Sequence, residues 1–295
     1  METISIYTPK VVVIGSCNTD MVVKANRLPV PGETVLGGTF YMNPGGKGAN
    51  QAIAASRLGA EVTFISKIGY DLFGLQALEI YKSEKINTEF IFTDQKSPSG
   101  VALISVDSFG ENSIIVAPGA SRSLSIEDIN KAEEKIKEAD IILMQLEVPI
   151  ETAEFAATIA NKYNKKVILN PAPASTLSDT FLRNIHTILP NRIEAEMLSG
   201  IKVIDIESAH RAAKTIGDKG IENVVITLGK DGAYVKEKDK YAMIPAKQVE
   251  TIDTTGAGDV FCGAFSVCLS ADINVVVIGN QKGRTLKERS RRNFG

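Results

Sequence analysis

The chain has 295 residues, 44% of them hydrophobic and 23% charged, with a formal net charge of −2. That is ordinary composition for a soluble globular chain of one large α/β domain or two small ones, and the near-neutral balance gives no footing for nucleic-acid binding. No apolar run reaches the ~18 residues of a membrane span, and the first residues lack the basic and apolar regions of a signal peptide. Cys17, Cys262 and Cys268 form no C-x-x-C pair and read as reduced thiols of a cytoplasmic protein. The two histidines, His186 and His210, lie outside any glycine-rich or strand-end motif, so a carboxylate is expected to serve as any general base.

In chain order, Val11–Ile14 is a short apolar run that reads as a buried strand ending in Gly15-Ser16. Residues 20–39, with Pro29, Pro31 and paired Gly37-Gly38, read as strands and turns of a small β element. An Ala-rich helix is expected over Asn50–Leu58, stopped by Gly59, then a strand over Val62–Ser66 and a helix over Phe73–Glu84. Gly100–Val106 and Ser113–Val116 flank a Gly-containing turn and predict a hairpin. Ser125 with Asp128 resembles a capping box opening one helix to Glu138. Strands and helices then alternate. Strands are expected at Ile141–Leu146, Lys166–Asn170, Thr187–Pro190 and Asn223–Thr227, and helices at Glu151–Tyr163, Ile193–Ser199 and Ala209–Lys219. This rhythm predicts a mostly parallel sheet covered on both faces, with ligands at the carboxyl ends of its strands.

Polar residues fall at those ends: Asn18 and Asp20, Glu147, Asn170, Asn191, and Thr227 with Gly229. One polar strand end is ordinary loop chemistry, but together they would line a single crevice. Two glycine clusters each precede a helix. Gly45-Gly46-Lys47-Gly48-Ala49-Asn50-Gln51 is neither a P-loop nor G-x-G-x-x-G, and reads as a turn with a solvated lysine or as a loop that binds hydroxyls or phosphates. In Asp253-Thr254-Thr255-Gly256-Ala257-Gly258-Asp259, small residues let backbone N–H groups converge on an anion at the start of the helix Val260–Leu269. Asp259 is then either a first-turn acid or a base beside an anion hole, as phosphoryl or acyl transfer to a hydroxyl requires. Asn191 with Glu194 reads as a helix cap or as a pair facing a hydrated metal held with nucleotide phosphates.

Taken in order and spacing, these motifs resemble the ribokinase / PfkB carbohydrate kinase family. Further segments carry the resemblance: Pro31-Gly32-Glu33-Thr34, Met144-Gln145-Leu146-Glu147, Asn170-Pro171-Ala172-Pro173 and Ile226-Thr227-Leu228-Gly229. The resemblance implies a three-layer α/β/α sandwich over residues 1–270, with a mostly parallel central sheet and a small β-sheet lid from about 20–42 and 99–117. It implies ATP-dependent phosphorylation of D-ribose at the 5-hydroxyl, with another sugar or nucleoside of the same family as the alternative substrate. Asn18, Asp20, Gly46, Lys47, Asn50 and Glu147 would hold the sugar, and Asp259 would take its proton. Gly256, Ala257 and Gly258 would supply the anion hole. Asn191, Thr227, Gly229 and Gly258 would meet ATP; Asn191 and Glu194 would face Mg2+ through water; Asp253 and Thr255 would contact K+. A homodimer through the lid is also implied, with no nucleic-acid or membrane partner.

After Ser270 the motif resemblance stops. From Lys282 to Arg292 six basic residues accompany one acid, and the stretch from 271 to 295 reads as a solvated tail. A frame change, an alternative end or a truncated product would each give such a sequence. A sugar-binding protein with impaired catalysis is the alternative reading if the C-terminal nucleotide and cation elements that the resemblance implies are missing.

Overall fold

The computed structural model describes residues 7–248 and 256–271. In chain order the strands and helices begin β1 (Lys10–Ile14), β2 (Asn18–Lys24), β3 (Thr39–Gly45), α1 (Lys47–Arg57), β4 (Glu61–Gly69), α2 (Leu72–Ser83), β5 (Ile91–Asp94), β6 (Gly100–Val106) and β7 (Asn112–Ala117). They continue with α3 (Ile126–Lys131), α4 (Glu133–Glu138), β8 (Ile141–Met144), α5 (Ile150–Lys162), β9 (Lys166–Leu169), α6 (Asp179–Arg183) and β10 (Thr187–Ile188). The last are α7 (Arg192–Ser199), α8 (Ile206–Gly217), β11 (Asn223–Thr227), β12 (Ala233–Glu237), β13 (Lys240–Ile244) and α9 (Ala257–Ser270).

Among the described residues, nine strands form one sheet in the order β13-β12-β11-β10-β9-β8-β1-β4-β5. Strands β11 through β5 pair in parallel, and β12 and β13 add an antiparallel edge. Alternate side chains leave the sheet on opposite sides, as a strand's period of two requires. Val12, Ile14, Ile142, Met144, Val167 and Leu169 pack with α3 to α8. Val11, Val13, Ile141, Leu143 and Ile168 pack with α1, α2 and α9. The chain therefore has the three-layer α/β/α architecture, with near-continuous apolar strands between two helical layers.

A second sheet of four strands stands apart in the order β3-β2-β6-β7. Strand β2 pairs antiparallel with β3 and parallel with β6, and β6 pairs antiparallel with β7. The predicted hairpin is this last pair. Its turn is held by the Asp107 carboxylate, which accepts from the N–H groups of Phe109 and Glu111 at 2.8 and 3.0 Å.

Several elements differ from their predicted bounds. Helix α1 begins at Lys47, three residues before Asn50, because the Glu147 carboxylate accepts the Lys47 N–H at 3.0 Å and caps the helix from 100 residues away. The single helix expected to Glu138 is two. Ser125 and Asp128 do form the capping box, but Ala132, at φ −99° and ψ 7°, bends the chain between α3 and α4. Ile129, Ala132 and Ile136 are all buried around that bend, so packing sets it without a glycine or proline. Helix α8 starts at Ile206, where Asp205 and Ser208 cap each other. Strand β10 is only two residues long. Elements β5, α6, β12 and β13 carry no clear periodicity of their own.

The packing of α1 on α9 needs a glycine. A Cβ at Gly263 would lie 2.6 Å from the Gln51 carbonyl oxygen and 2.7 Å from the Ala54 Cβ. Gly263→Ala therefore has to separate the two helices, and a loss of ~1–3 kcal/mol is expected from overpacking. Urea unfolding checks this: the midpoint falls in the variant, and an unchanged midpoint would show that the helices are free to part.

Candidate active site

The carboxyl ends of β1, β8, β9, β10 and β11 all open on the same edge of the sheet, and the expected polar residues gather there. Glu147, just past β8, uses one carboxylate oxygen, Oε2, to accept from both the Ser16 hydroxyl and the Lys47 N–H. It thus ties the exit of β1 to the first turn of α1. The close approach of these segments depends on Gly48, where a Cβ would meet the Gly15 and Ser16 backbone at 2.7 Å.

Asp259 lies in the first turn of α9 and is 8% exposed. Its Oδ2 accepts from Asn50 Nδ2 at 3.1 Å, and its Oδ1 from Gln51 Nε2 at 3.0 Å. Burial raises its pKa above the usual carboxylate value. The Lys47 charge and the two amide donors oppose that rise, while Glu147 adds to it. Gly256, with φ 70°, precedes α9 in a left-handed conformation suited to glycine. Among the described residues, no atom beyond its own helix lies within 4 Å of where a Cβ at Gly258 would project. The start of this helix thus faces open space, with early N–H groups and a positive dipole end directed out of it.

A cleft of about 150 Å³ brings together Lys47, Asn191, Glu194, Thr227, Gly258 and Asp259. Asn191 and Glu194 form a reciprocal capping box on α7: Asn191 Oδ1 accepts the Glu194 N–H at 2.9 Å, and Glu194 Oε2 accepts the Asn191 N–H at 2.8 Å. Asn191 Nδ2 also donates to Glu194 Oε1 at 2.9 Å. The pair is therefore a helix cap that also lines the cleft. Burial raises the Glu194 pKa, with the Asn191 bonds and Lys47 opposing. Gly229, at φ 63°, sits in a 3-10 turn after β11, beyond the residues lining this cleft. Asp253 and Thr255 lie outside the described residues, as does the stretch 272–295.

Asn18, Asp20 and Gly46 stand on the side of the small sheet. Asn18 is buried, and its Oδ1 has no hydrogen-bond partner. Gly45 and Gly100 make room for these side chains: a Cβ at Gly45 would lie 2.0 Å from Asp20 Oδ1, and one at Gly100 2.1 Å from Asn18 Oδ1. Sequence reasoning gave Ser16, Gln51 and Gln145 no role in the site, and placed Asn170 in the crevice without giving it one. Asn170 carried a signal, since it ends β9. Gln51 and Gln145 become visible only when α1 is laid across the strand ends.

Asp20 is pushed up to about 6, first by burial and then by the nearby Glu147 and Asp259 carboxylates. A raised acid pKa means the folded chain holds this proton more tightly than the unfolded one. The group's effect on stability therefore declines as pH rises from near 4 to about 6, and above that its charge opposes folding. Asp20→Asn is expected to raise the melting temperature at pH 8 by ~2–4 °C, with the gap closing toward pH 5. Thermal melts across that range check it, and a variant that melts lower at pH 8 contradicts the electrostatic account.

Comparison with known proteins identifies the family. Residues 8–288 match the pfkB family carbohydrate kinase description, which reaches past Ser270. The chain is 47% identical to a ribokinase of Haemophilus influenzae over 87% of this chain and 84% of the relative. It is 38% identical to a deoxyribokinase of Salmonella typhi over 87% and 84%. The solved Arabidopsis thaliana ribokinase complexed with ribose and ATP superposes with a TM-score of 0.82 at 30% identity, over 92% of this chain and 89% of that one. The chain belongs to the PfkB family of carbohydrate kinases, and is a phosphotransferase.

Proposed function

We propose that the protein transfers the γ-phosphoryl group of ATP to the 5-hydroxyl of D-ribose. The observation that carries this reading is the buried carboxylate of Asp259 at the start of α9, beside open space at Gly258. Asp259 accepts the 5-hydroxyl proton as the oxygen attacks the γ-phosphorus and ADP departs. The N–H groups of Gly256, Ala257 and Gly258 stabilise the negative charge on the transferring group. Lys47, whose charge acts on both Asp259 and Glu194, adds to that stabilisation. Asn18, Asp20, Gly46, Asn50 and Glu147 hold the sugar hydroxyls. The unpartnered Asn18 Oδ1 and the crowded Asp20 carboxylate support this, since each gains a hydrogen-bond donor when a polyol enters. Thr227 and Gly229 meet the nucleotide.

Both Glu194 oxygens already accept from Asn191, which fits a magnesium ion carried on the phosphates and reached through water better than a directly ligated one. When bound, that ion neutralises phosphate charge. Asp253 and Thr255 are proposed to contact a potassium ion. Closure of the small sheet over the sugar would exclude water and limit ATP hydrolysis. The deoxyribokinase relative keeps 2-deoxyribose open as the acceptor.

The outer face of the small sheet carries exposed Phe40, Met42, Leu103 and Ile115, with Leu103 paired opposite Ile115. Such a contiguous apolar face supports a homodimer through the lids.

Steady-state kinetics with ATP and either ribose or 2-deoxyribose test the assignment. Asp259→Asn is expected to lower kcat by ~10²–10⁴-fold with sugar binding retained. Full activity in that variant removes Asp259 as the base. A kcat/KM for ribose ~10–100-fold above that for 2-deoxyribose is expected if the 2-hydroxyl is held by buried polar groups, and the reverse order makes the deoxy sugar the substrate. Light scattering is expected to report a dimer that Leu103→Asp with Ile115→Asp converts to a monomer, whereas a monomeric parent ends the dimer proposal.

A further inference from the structure

We infer that Gln51, oriented by Gln145 and Asn170, is the positioning residue that fixes the Asp259 carboxylate relative to the central sheet. This rests on the reading of Asp259 as the base.

Gln51 and Gln145 are both fully buried, with 0% of either side chain's residue exposed. Gln51 Nε2 donates to Asp259 Oδ1 at 3.0 Å and to Asn170 Oδ1 at 3.1 Å. Gln51 Oε1 accepts from Gln145 Nε2 at 2.6 Å. Asn170 Nδ2 donates to the Leu189 carbonyl at 3.0 Å.

The direction of every amide in this chain is forced from its ends. A backbone carbonyl only accepts, so Asn170 must turn its NH2 to Leu189 and its oxygen to Gln51. An ionised carboxylate only accepts, so Gln51 must turn its NH2 to Asp259 as well. Both demands place both Gln51 protons, and the remaining Gln51 oxygen is satisfied by Gln145. Gln145 reaches it because residue 15 is glycine: a Cβ there would sit 2.0 Å from Gln145 Oε1. Gln145 Oε1 is itself buried without a partner, so this arrangement is kept at the expense of one unsatisfied acceptor.

The anchors are the ends of β1, β8, β9 and β10, four neighbouring strands of the sheet. Asp259 belongs to a helix on one face of that sheet. Gln51 therefore converts the rigidity of the sheet into a fixed direction for one carboxylate oxygen, and the N–H it gives Asp259 favours the ionised form. Asn50 supplies the other oxygen's donor but belongs to the proposed sugar contacts, so Gln51 is the donor that stays when substrate enters. The charged groups acting on Asp259 are Lys47 from α1, Glu147 beyond β8, Glu194 from α7 and Asp20 from the small sheet.

Gln51→Met keeps the bulk and removes both donors. A fall in kcat of ~10–100-fold is expected, with the ribose KM within about threefold of the parent. Because a donor to the ionised form is lost, the acidic limb of the kcat/KM profile should move to higher pH by ~1 unit. Gln145→Met, which leaves Gln51 in place but unoriented, should move it the same way by less. A Gln51→Met protein that folds, binds ribose and keeps the parental limb overturns the proposal. If Gln51→Met proves unstable, a Gln145→Met protein with parental kcat and limb overturns it equally. Asp259→Asn in the same assay separates the two readings: activity there defeats the base assignment, whereas an inactive Asp259→Asn beside an unmoved limb defeats only the role of Gln51.

Discussion

The contact between α1 and α9 sets the geometry of everything at the site. The two helices carry Asn50, Gln51 and Asp259, drawn from positions about 210 residues apart in sequence. They meet closely because Gly263 presents no side chain to the Gln51 carbonyl, and because the facing residues on α1 include small alanines. Interiors packed to this density do not slide, so the separation of base and amide is fixed by backbone contact. Each helix also starts at a glycine of positive φ, Gly46 and Gly256, so both N-termini are placed by turns that other residues adopt only under strain.

Around that contact the molecule concentrates negative charge. Glu147 acts on Asp20 and Asp259, Asp259 acts on Asp20 and Glu194, and among the described residues Lys47 relieves Glu194 and Asp259. Burial makes this more costly, and the raised pKa values of Asp20, Glu194 and Asp259 record it. A folded chain under no functional demand would remove such a cluster. Retaining it trades stability for a site whose polar groups await hydroxyl donors and cations, a common relation between stability and activity.

Much of the sandwich was legible because strands buried on both sides leave continuous apolar runs, as in Val11–Ile14 and Ile141–Met144. The polar ends of those strands marked the crevice for the same reason: a buried strand has no other place for Asn170 or Glu147. What sequence could not give was long-range capping and packing. The start of α1 at Lys47 depends on a carboxylate 100 residues away. The break at Ala132 answers to the core beneath it. The antiparallel strands β12 and β13 mix charge and apolar residues because they form the sheet's edge. Glutamines 51 and 145 stood in motif segments read as helix and strand and drew no role of their own, since an amide's role depends on which neighbours can only accept. The assignment of Asn191 and Glu194 was open between cap and ligand face, and the geometry makes them a cap that also lines the cleft.

The glycines in and around the two motifs divide by what keeps them. At Gly15, Gly48 and Gly263 another part of the chain already occupies the place of a side chain, so the fold alone excludes substitution. At Gly258 nothing among the described residues does. A population of chains drifting without a ligand would hold the first group and let the last one go. Any demand for glycine at that position therefore comes from what the cleft holds rather than from the fold.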